Sequence, residues 1–330
     1  MLRYDWSVEE IKTIFNQSVP DLIFQAATIH RENFNPNEVQ RSTLLSIKTG
    51  GCSENCAYCP QSAHYKTEIE KHGILPVDFV KGKALEAKAT GSTRFCMGAA
   101  WREVRDGKEF DAILELVREV SALGMEVCCT LGMLTESQAQ RLKEAGCHAY
   151  NHNLDTSPDF YGNIISTRVY QDRLDTLKYV RSAGLTVCCG GIIGMGEKME
   201  DRYKLLQQLS NQKPHPESVP INMLQRVEGT PLANQKPLDP IEFVRMVATA
   251  RILMPTSYVR LSAGRVEMSD ECQAMCFVAG ANSIFAGEKL LTQSNPGVDR
   301  DQELMNKLGM KFVERRSHQN RKDAHMLVAI

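Results

Sequence analysis

The chain has 330 residues, 42% of them hydrophobic, and a formal charge of -1. That length allows one large domain or two, and that apolar fraction allows a full core. The near-neutral charge leaves no electrostatic footprint for nucleic acid or an anionic membrane, and no apolar run approaches the ~18 residues that span a bilayer.

In chain order, the opening stretch MLRYDWSVEEIKTIF does not read as a signal peptide. Ser7 with Glu10 three positions on forms a capping box, and Ile11, Ile14 and Phe15 follow at helical spacing, so residues 1–38 are expected to be a helical cap. Short β-branched or apolar runs predict strands at 43–49, 93–98, 125–131, 149–154, 185–190, 219–224, 258–263 and 281–285. Amphipathic helical patterns lie between them, as at 110–122, 136–145 and 171–183, and Gly91, Gly124, Gly146 and Gly184 read as stops before the next strand. Strand–helix alternation about eight times over, with no long linker, predicts an α/β chain folded as a (β/α)8 barrel of the TIM type across 39–313. A doubly wound open sheet is the alternative; it needs a GxGxxG turn after the first strand, which GGCSENC does not supply. Residues 314–330 read as a polar C-terminal tail.

The first long connection carries Cys52, Cys56 and Cys59 in GGCSENCAYCPQS. Three thiolates there can hold three irons of a [4Fe–4S] cube, which usually takes four cysteines, and the remaining iron stays open for a small molecule. Zinc is the competing reading, with His64 or His72 as fourth ligand, although three ligands within eight residues differ from the two-plus-two pattern zinc favours and no second CxxC occurs. A disulfide framework suits neither the length nor the odd count of 11 cysteines, and many free thiols point to a reducing cytoplasm.

Alternation along each strand sorts its side chains, because successive residues face opposite sides and a barrel's outer face must be apolar. Met125, Val127, Cys129 and Leu131 then face out, leaving Glu126, Cys128 and Thr130 inward. The same rule turns Arg94 and Cys96, Thr186 and Cys188, Asn222, and Tyr258, Arg260 and Ser262 into the lumen, with Asn151 and Asn153 sharing a face that Asp155 extends. The bland reading makes the cysteines small core hydrophobes and pairs the arginines with carboxylates such as Glu126. Three inward thiols from three strands beside Arg260 favour a second metal or sulfur site instead. Cys129 and Cys189 are expected to be inert packing. Gly190 and Gly191, in GGIIGMGE, could let backbone approach a ligand closely or simply make a tight turn.

Together TLLSIKTGGCSENCAYCPQS, GSTRFCMGAAW, YNHNLDTSPDFYGNI, GGIIGMGE, ESVPINML, GTPLA, MPTSYVRLSAGR and QAMCFVAGANSIF resemble the radical S-adenosylmethionine superfamily and, within it, the biotin synthase family, from about residue 40 to 310. The resemblance implies sulfur insertion into dethiobiotin by way of 5′-deoxyadenosyl radicals. It implies Cys52, Cys56 and Cys59 on a [4Fe–4S] cluster, and Cys96, Cys128, Cys188 and Arg260 on a [2Fe–2S] cluster that acts both as catalytic centre and as sulfur donor. Asn151, Asn153 and Asn222 would hold the ureido ring; Tyr58, Asn153, Asp155, Arg173, Gly190 and Gly191 would bind S-adenosylmethionine, Asp155 at the ribose and Arg173 at the carboxylate. A flavodoxin-type electron donor and a homodimer belong to the same expectation. Arginine as an iron ligand sits uneasily with a guanidinium that stays protonated, and a counter-charge suits it better. Another radical barrel enzyme, of the hydrogenase-maturation or methylornithine type, or a non-catalytic iron–sulfur protein would share the loop without needing the lumenal set.

Overall fold

The computed structural model of the chain describes residues 2–314. The elements run in order as the helices Val8–Phe15 (α1) and Val19–Asn33 (α2), strand Glu38–Lys48 (β1), helix Val77–Ala89 (α3), strand Arg94–Ala99 (β2), helix Lys108–Ala122 (α4), strand Glu126–Thr130 (β3), helix Glu136–Glu144 (α5) and strand Ala149–Asn151 (β4). Then come the helices Pro158–Ile164 (α6) and Tyr170–Ser182 (α7), strands Thr186–Cys188 (β5) and Gly191–Ile193 (β6), helix Met199–Ser210 (α8), strand Ser218–Met223 (β7), helix Pro240–Leu253 (α9) and strand Tyr258–Leu261 (β8). The described part closes with helix Asp270–Val278 (α10), strand Ser283–Ala286 (β9), the short hairpin Lys289–Leu290 (β10) and Gln293–Ser294 (β11), helix Val298–Leu308 (α11) and strand Lys311–Phe312 (β12).

The strands pair in parallel from β1 through β2, β3, β4, β5, β7 and β8 to β9, and β9 pairs back with β1, which closes the expected (β/α)8 barrel. The fifth position is split between β5 and β6, both of which pair with β7. The break has a local cause. Pro220 of β7 has no N–H to give to a ladder, and Gly190 lies so close that a Cβ would sit 1.9 Å from the Pro220 carbonyl oxygen. The carbonyl of Gly190 faces the other way, toward the segment after β4, and accepts the amide of Leu154 at 3.0 Å.

Three apolar clusters result among the described residues, one of them around the cysteine loop at Cys56, Ala57, Tyr161 and Ile164. Phe110, Ile113, Val117 and Val120 of α4 recur at helical spacing and join Phe95, Met97, Val127 and Cys129 between barrel and helices. Inside the barrel, Cys96, Cys128, Cys188, Ala149, Phe285 and Leu290 form a cluster of their own. The Ser7–Glu10 capping box is present at the start of α1. α1 and α2 pack on α8 and α9, with Arg245 donating to the carbonyls of Phe15 and Gln17 at 2.7 Å. Of the tail expected at 314–330, only Glu314 is among the described residues. No helix among those residues is long and apolar enough to cross a membrane.

Candidate active site

A cavity of about 320 Å³ opens at the C-terminal ends of the strands, where barrels of this kind place their chemistry. Cys52, Cys56 and Cys59 line it from the loop after β1, and Cys96, Cys128 and Cys188 line it from β2, β3 and β5. Tyr58, Asn151, Asn153, Asp155, Arg173, Asn222 and Arg260 also face it. Gly190 and Gly191 lie outside the lining; a Cβ on Gly191 would meet Leu205 at 2.4 Å, so both glycines serve the packing of the split strand.

The cysteine loop is held by its own backbone and by the segment before α7. Cys52 donates its amide to Gln61 O at 3.0 Å and accepts from Ala63 at 2.7 Å, while Ala57 donates to Ile164 O at 2.9 Å. Asn55 clamps the neighbouring segment, accepting the amides of Ser166 at 2.9 Å and Thr167 at 3.2 Å. Burial pushes the Cys56 thiol up to about 11 and the Cys59 thiol up to about 12, so a metal must displace their protons. All cysteines among the described residues are free thiols. His64 and His72 turn to the backbone carbonyls of Ser53 and Gly73, at 3.1 and 2.8 Å, and neither lines the cavity. Among the described residues no three His, Cys, Asp or Glu side chains are grouped for one metal ion, the arrangement a zinc site needs. A cluster asks for something different, each thiolate on its own iron.

Next to the loop, Tyr58 donates to Asp155 Oδ2 at 2.6 Å, and Arg173 pairs with the same carboxylate. Arg173 also donates to Tyr161 Oη at 2.8 Å and to the carbonyl of Asn153, so every nitrogen of its guanidinium is engaged. Asp155 holds a left-handed backbone, φ 65, which a residue with a Cβ seldom adopts outside a constrained site. Asn153 accepts the Gly190 amide at 3.1 Å; Asn222 donates to Gly191 O at 2.9 Å and accepts from Ala263 at 3.1 Å; Asn151 donates to Thr130 Oγ1 at 3.1 Å. Each asparagine is fixed by the protein and faces the cavity.

Deeper in the lumen, register places Cys96 beside Cys128, Asn151 beside Cys188 and Arg260 beside Ser283. Hydrogen bonding with Cys128, helped by the charges of Arg260 and Arg94, holds the Cys96 and Cys188 thiols below their ordinary range against the opposing effect of burial. Arg94 pairs with Glu126 at 3.2 Å, as the bland reading of that residue expects. Arg260 differs: it is fully buried, and none of the ion pairs among the described residues includes it. Its guanidinium donates to Ser283 Oγ at 2.9 Å, Ser42 Oγ at 3.2 Å and Gln40 Oε1 at 3.3 Å, and one nitrogen stands 3.9 Å from Cys188 Sγ. The outward cysteines Cys129, Cys147, Cys189, Cys272 and Cys276 all sit in the outer core.

Sequence patterning missed several lining residues: Glu54, His152, Arg168, Gln225 and the β10–β11 hairpin, whose Leu290, Leu291, Thr292 and Gln293 cover the lumen. Nε and Nη1 of Arg168 and Nε2 of Gln225 are buried without a partner, and buried donors aimed at a cavity suit a polar occupant such as a nucleoside cofactor.

Residues 46–209 match the Radical SAM superfamily and residues 220–311 the Biotin and Thiamin Synthesis associated domain. A biotin synthase of Methylibium petroleiphilum is 62% identical over 305 residues, covering 92% of each chain. The chain belongs to the biotin synthase family. A biotin synthase of Nitrosococcus oceani is 60% identical, covering 94% of this chain and 90% of its own. Among solved structures, methylornithine synthase superposes with a TM-score of 0.80 at 15% identity, covering 99% of this chain and 97% of its own. The FeFe-hydrogenase maturase of Carboxydothermus hydrogenoformans superposes with a TM-score of 0.79 at 16% identity, covering 96% of this chain and 78% of its own. At that identity the likeness speaks for the barrel alone, whereas the sequence relatives select the biotin synthase family from the readings that the cysteine triplet left open. Membership in this family brings a [4Fe–4S] cluster and S-adenosylmethionine as cofactors.

Proposed function

We propose that the chain inserts a sulfur atom into dethiobiotin, closing the thiophane ring of biotin through two rounds of hydrogen abstraction. The observation that carries this reading is one cavity onto which both the loop thiols and the strand thiols open. A [4Fe–4S] cluster bound there would supply the electron for reductive cleavage of S-adenosylmethionine, and a [2Fe–2S] cluster would supply the sulfur.

In this reading Cys52, Cys56 and Cys59 hold the first cluster, and Cys96, Cys128, Cys188 and Arg260 hold the second. Arg260 brings a fixed positive charge to within 3.9 Å of Cys188, which suits a site rich in thiolate. Asp155, oriented by Tyr58 and Arg173, offers a carboxylate to the ribose hydroxyls. Asn151, Asn153 and Asn222 present donors and acceptors that match a neutral ureido ring. Leu44, Phe285 and Leu290 wall the space between with apolar surface and keep water from a reactive carbon. A flavodoxin-type electron donor, a homodimeric state and a cytoplasmic location complete the proposal, with residues 39–313 as the barrel domain.

The test is anaerobic reconstitution with iron counting and Mössbauer spectroscopy, followed by incubation with dethiobiotin, S-adenosylmethionine and a reductant. Two distinct cluster types and biotin as product are expected. A single cluster type, or deoxyadenosine without biotin in the unaltered protein, would sink the reading.

A further inference from the structure

We propose that the β10–β11 hairpin is the gate of the lumen, latched shut by the side chain of Leu291 in a notch that Gly98 leaves on β2. This assignment rests on the reading of the cavity as the place where dethiobiotin reacts.

The hairpin carries its strain in its turn. Leu290 pairs with Gln293, so Leu291 and Thr292 are the two central residues. Leu291 has φ 58, in the left-handed region that glycine or asparagine ordinarily fills at the first central position of such a turn. A leucine there costs backbone energy, and that cost persists only where the surroundings hold the residue. What holds it is on β2. A Cβ built on Gly98 would lie 2.8 Å from Leu291 Cδ2, so the leucine methyl takes the space that any other residue at 98 would fill. Gly98 stands two positions beyond Cys96 on the same face of the strand, which seats the leucine on the mouth side of the lumenal thiols. The neighbouring Leu290 belongs to the lumenal cluster itself, with Cys96, Cys128, Cys188 and Phe285.

The base is built differently. The hairpin forms a two-stranded sheet apart from the barrel, a unit with little stability of its own. Gly287 and Gly297 flank it with φ 110 and 60, and a Cβ on either would meet nothing within 4 Å. Asn295 ties the two arms together: its amide donates to Glu288 O at 2.9 Å, and its Nδ2 donates to Phe285 O at 3.0 Å and Gly287 O at 2.7 Å. Arg265, paired with Asp301, donates to the same Phe285 carbonyl at 3.0 Å, so the anchor stays with the barrel. A fixed anchor, two uncrowded glycines and a tip seated through Leu290 and Leu291 make an element with two positions. Closed, it keeps water from a reactive carbon; open, it admits the substrate to the strand thiols.

The experiment follows hydrogen–deuterium exchange of the 287–297 segment in the anaerobically reconstituted full chain without reductant, alone and with dethiobiotin and S-adenosylmethionine. Parallel reactions with reductant give the deoxyadenosine formed per biotin. In the unaltered protein the segment should exchange faster than the barrel strands, and the two ligands should slow it. Leu291→Ala empties the notch, and Gly98→Val fills it from the other side. Each should speed exchange of the segment about tenfold by favouring local opening, leave β3 and β7 unchanged, and raise the deoxyadenosine formed per biotin. Gly98→Val combined with Leu291→Ala should bring exchange back toward that of the parent, because one side chain again fills one notch; two independent defects would add instead. If Gly98→Val does not fold, Gly98→Ala is compared in the same way. Additive acceleration in the double variant, unchanged exchange in both single variants, or hairpin amides as slow as those of the barrel with and without ligands would overturn the proposal. A parent that forms no biotin would strike the reading of the reaction, while exchange of the segment would still decide the gate.

Discussion

Tyr58 donates its hydroxyl to Asp155 Oδ2 at 2.6 Å, tying the cysteine loop to the end of β4 across 97 residues of sequence. The contact lets the loop and the strained turn at Asp155 fix one another. Tyr58→Phe should leave the iron content intact and weaken S-adenosylmethionine roughly tenfold, about 1.4 kcal/mol, by freeing Asp155 from its orienting bond. Equilibrium binding on the reconstituted protein measures it, and unaltered affinity would show that Arg173 alone orients the carboxylate.

The loop thiols and the strand thiols should separate by product. Cys52→Ala, Cys56→Ala or Cys59→Ala should abolish formation of deoxyadenosine while the absorbance of the lumenal cluster persists. Chromatography of the anaerobic reaction reads the first, and visible spectroscopy the second. Deoxyadenosine at the unaltered rate would refute the assignment of the loop.

Two adjacent residues, the last of β5 and the one after it, give a sharper contrast. Cys188 faces the lumen, whereas Cys189 is packed in the outer core. Cys188→Ala should still yield deoxyadenosine but no biotin. Cys189→Ala should keep full turnover and lose only about 1 kcal/mol of stability for a small buried side chain. A loss of biotin at Cys189 with retention at Cys188 would reverse the orientation of the strand.

Gly190→Ala tests the split strand. Its Cβ would stand 1.9 Å from the carbonyl oxygen of Pro220, and backbone cannot swing aside as a flexible side chain can. A destabilisation of roughly 3 kcal/mol is expected, of the size that overpacking and backbone displacement cause. Denaturant midpoints report it; a midpoint within error of the parent would mean that the two strands can move apart freely.

Stability should fall in mild acid, with His30 as one contributor. Burial, and then the charges of Arg251 and Arg31, push its pKa down to about 3 from 6.5. Above pH 6.5 the imidazole is neutral folded or unfolded, and its burial costs nothing in protons. Between 6.5 and 3 the unfolded chain takes a proton that the folded one refuses, so stability drops as pH falls. The limit is about 3 kcal/mol by pH 4, at 1.36 kcal/mol per unit. Urea titrations at pH 7.5 and 5 should show a smaller drop for His30→Phe than for the parent; equal drops would clear His30 of this role.

Period-two patterning was sufficient to place Cys96, Cys128 and Cys188 inward and Cys129 and Cys189 outward, because each strand has one apolar face that only the helical shell can cover. The same logic could not foresee the break between β5 and β6, which depends on Pro220, some 30 residues distant in sequence and adjacent only after closure. Nor could it find that Nε and Nη1 of Arg168 are buried without a hydrogen-bond partner. Whether an arginine's donors are occupied is a property of the folded surroundings. The hairpin over the lumen was hidden because strands of two residues carry no periodicity.

The cysteines of the loop and those of the strands line the same hollow. A species released at one end would meet its target by crossing open space, without a doorway to pass. The order of events in such a chamber would be set by what sits in it and how tightly the guests fit, and emptying it would leave the protein with nothing to keep the two ends apart.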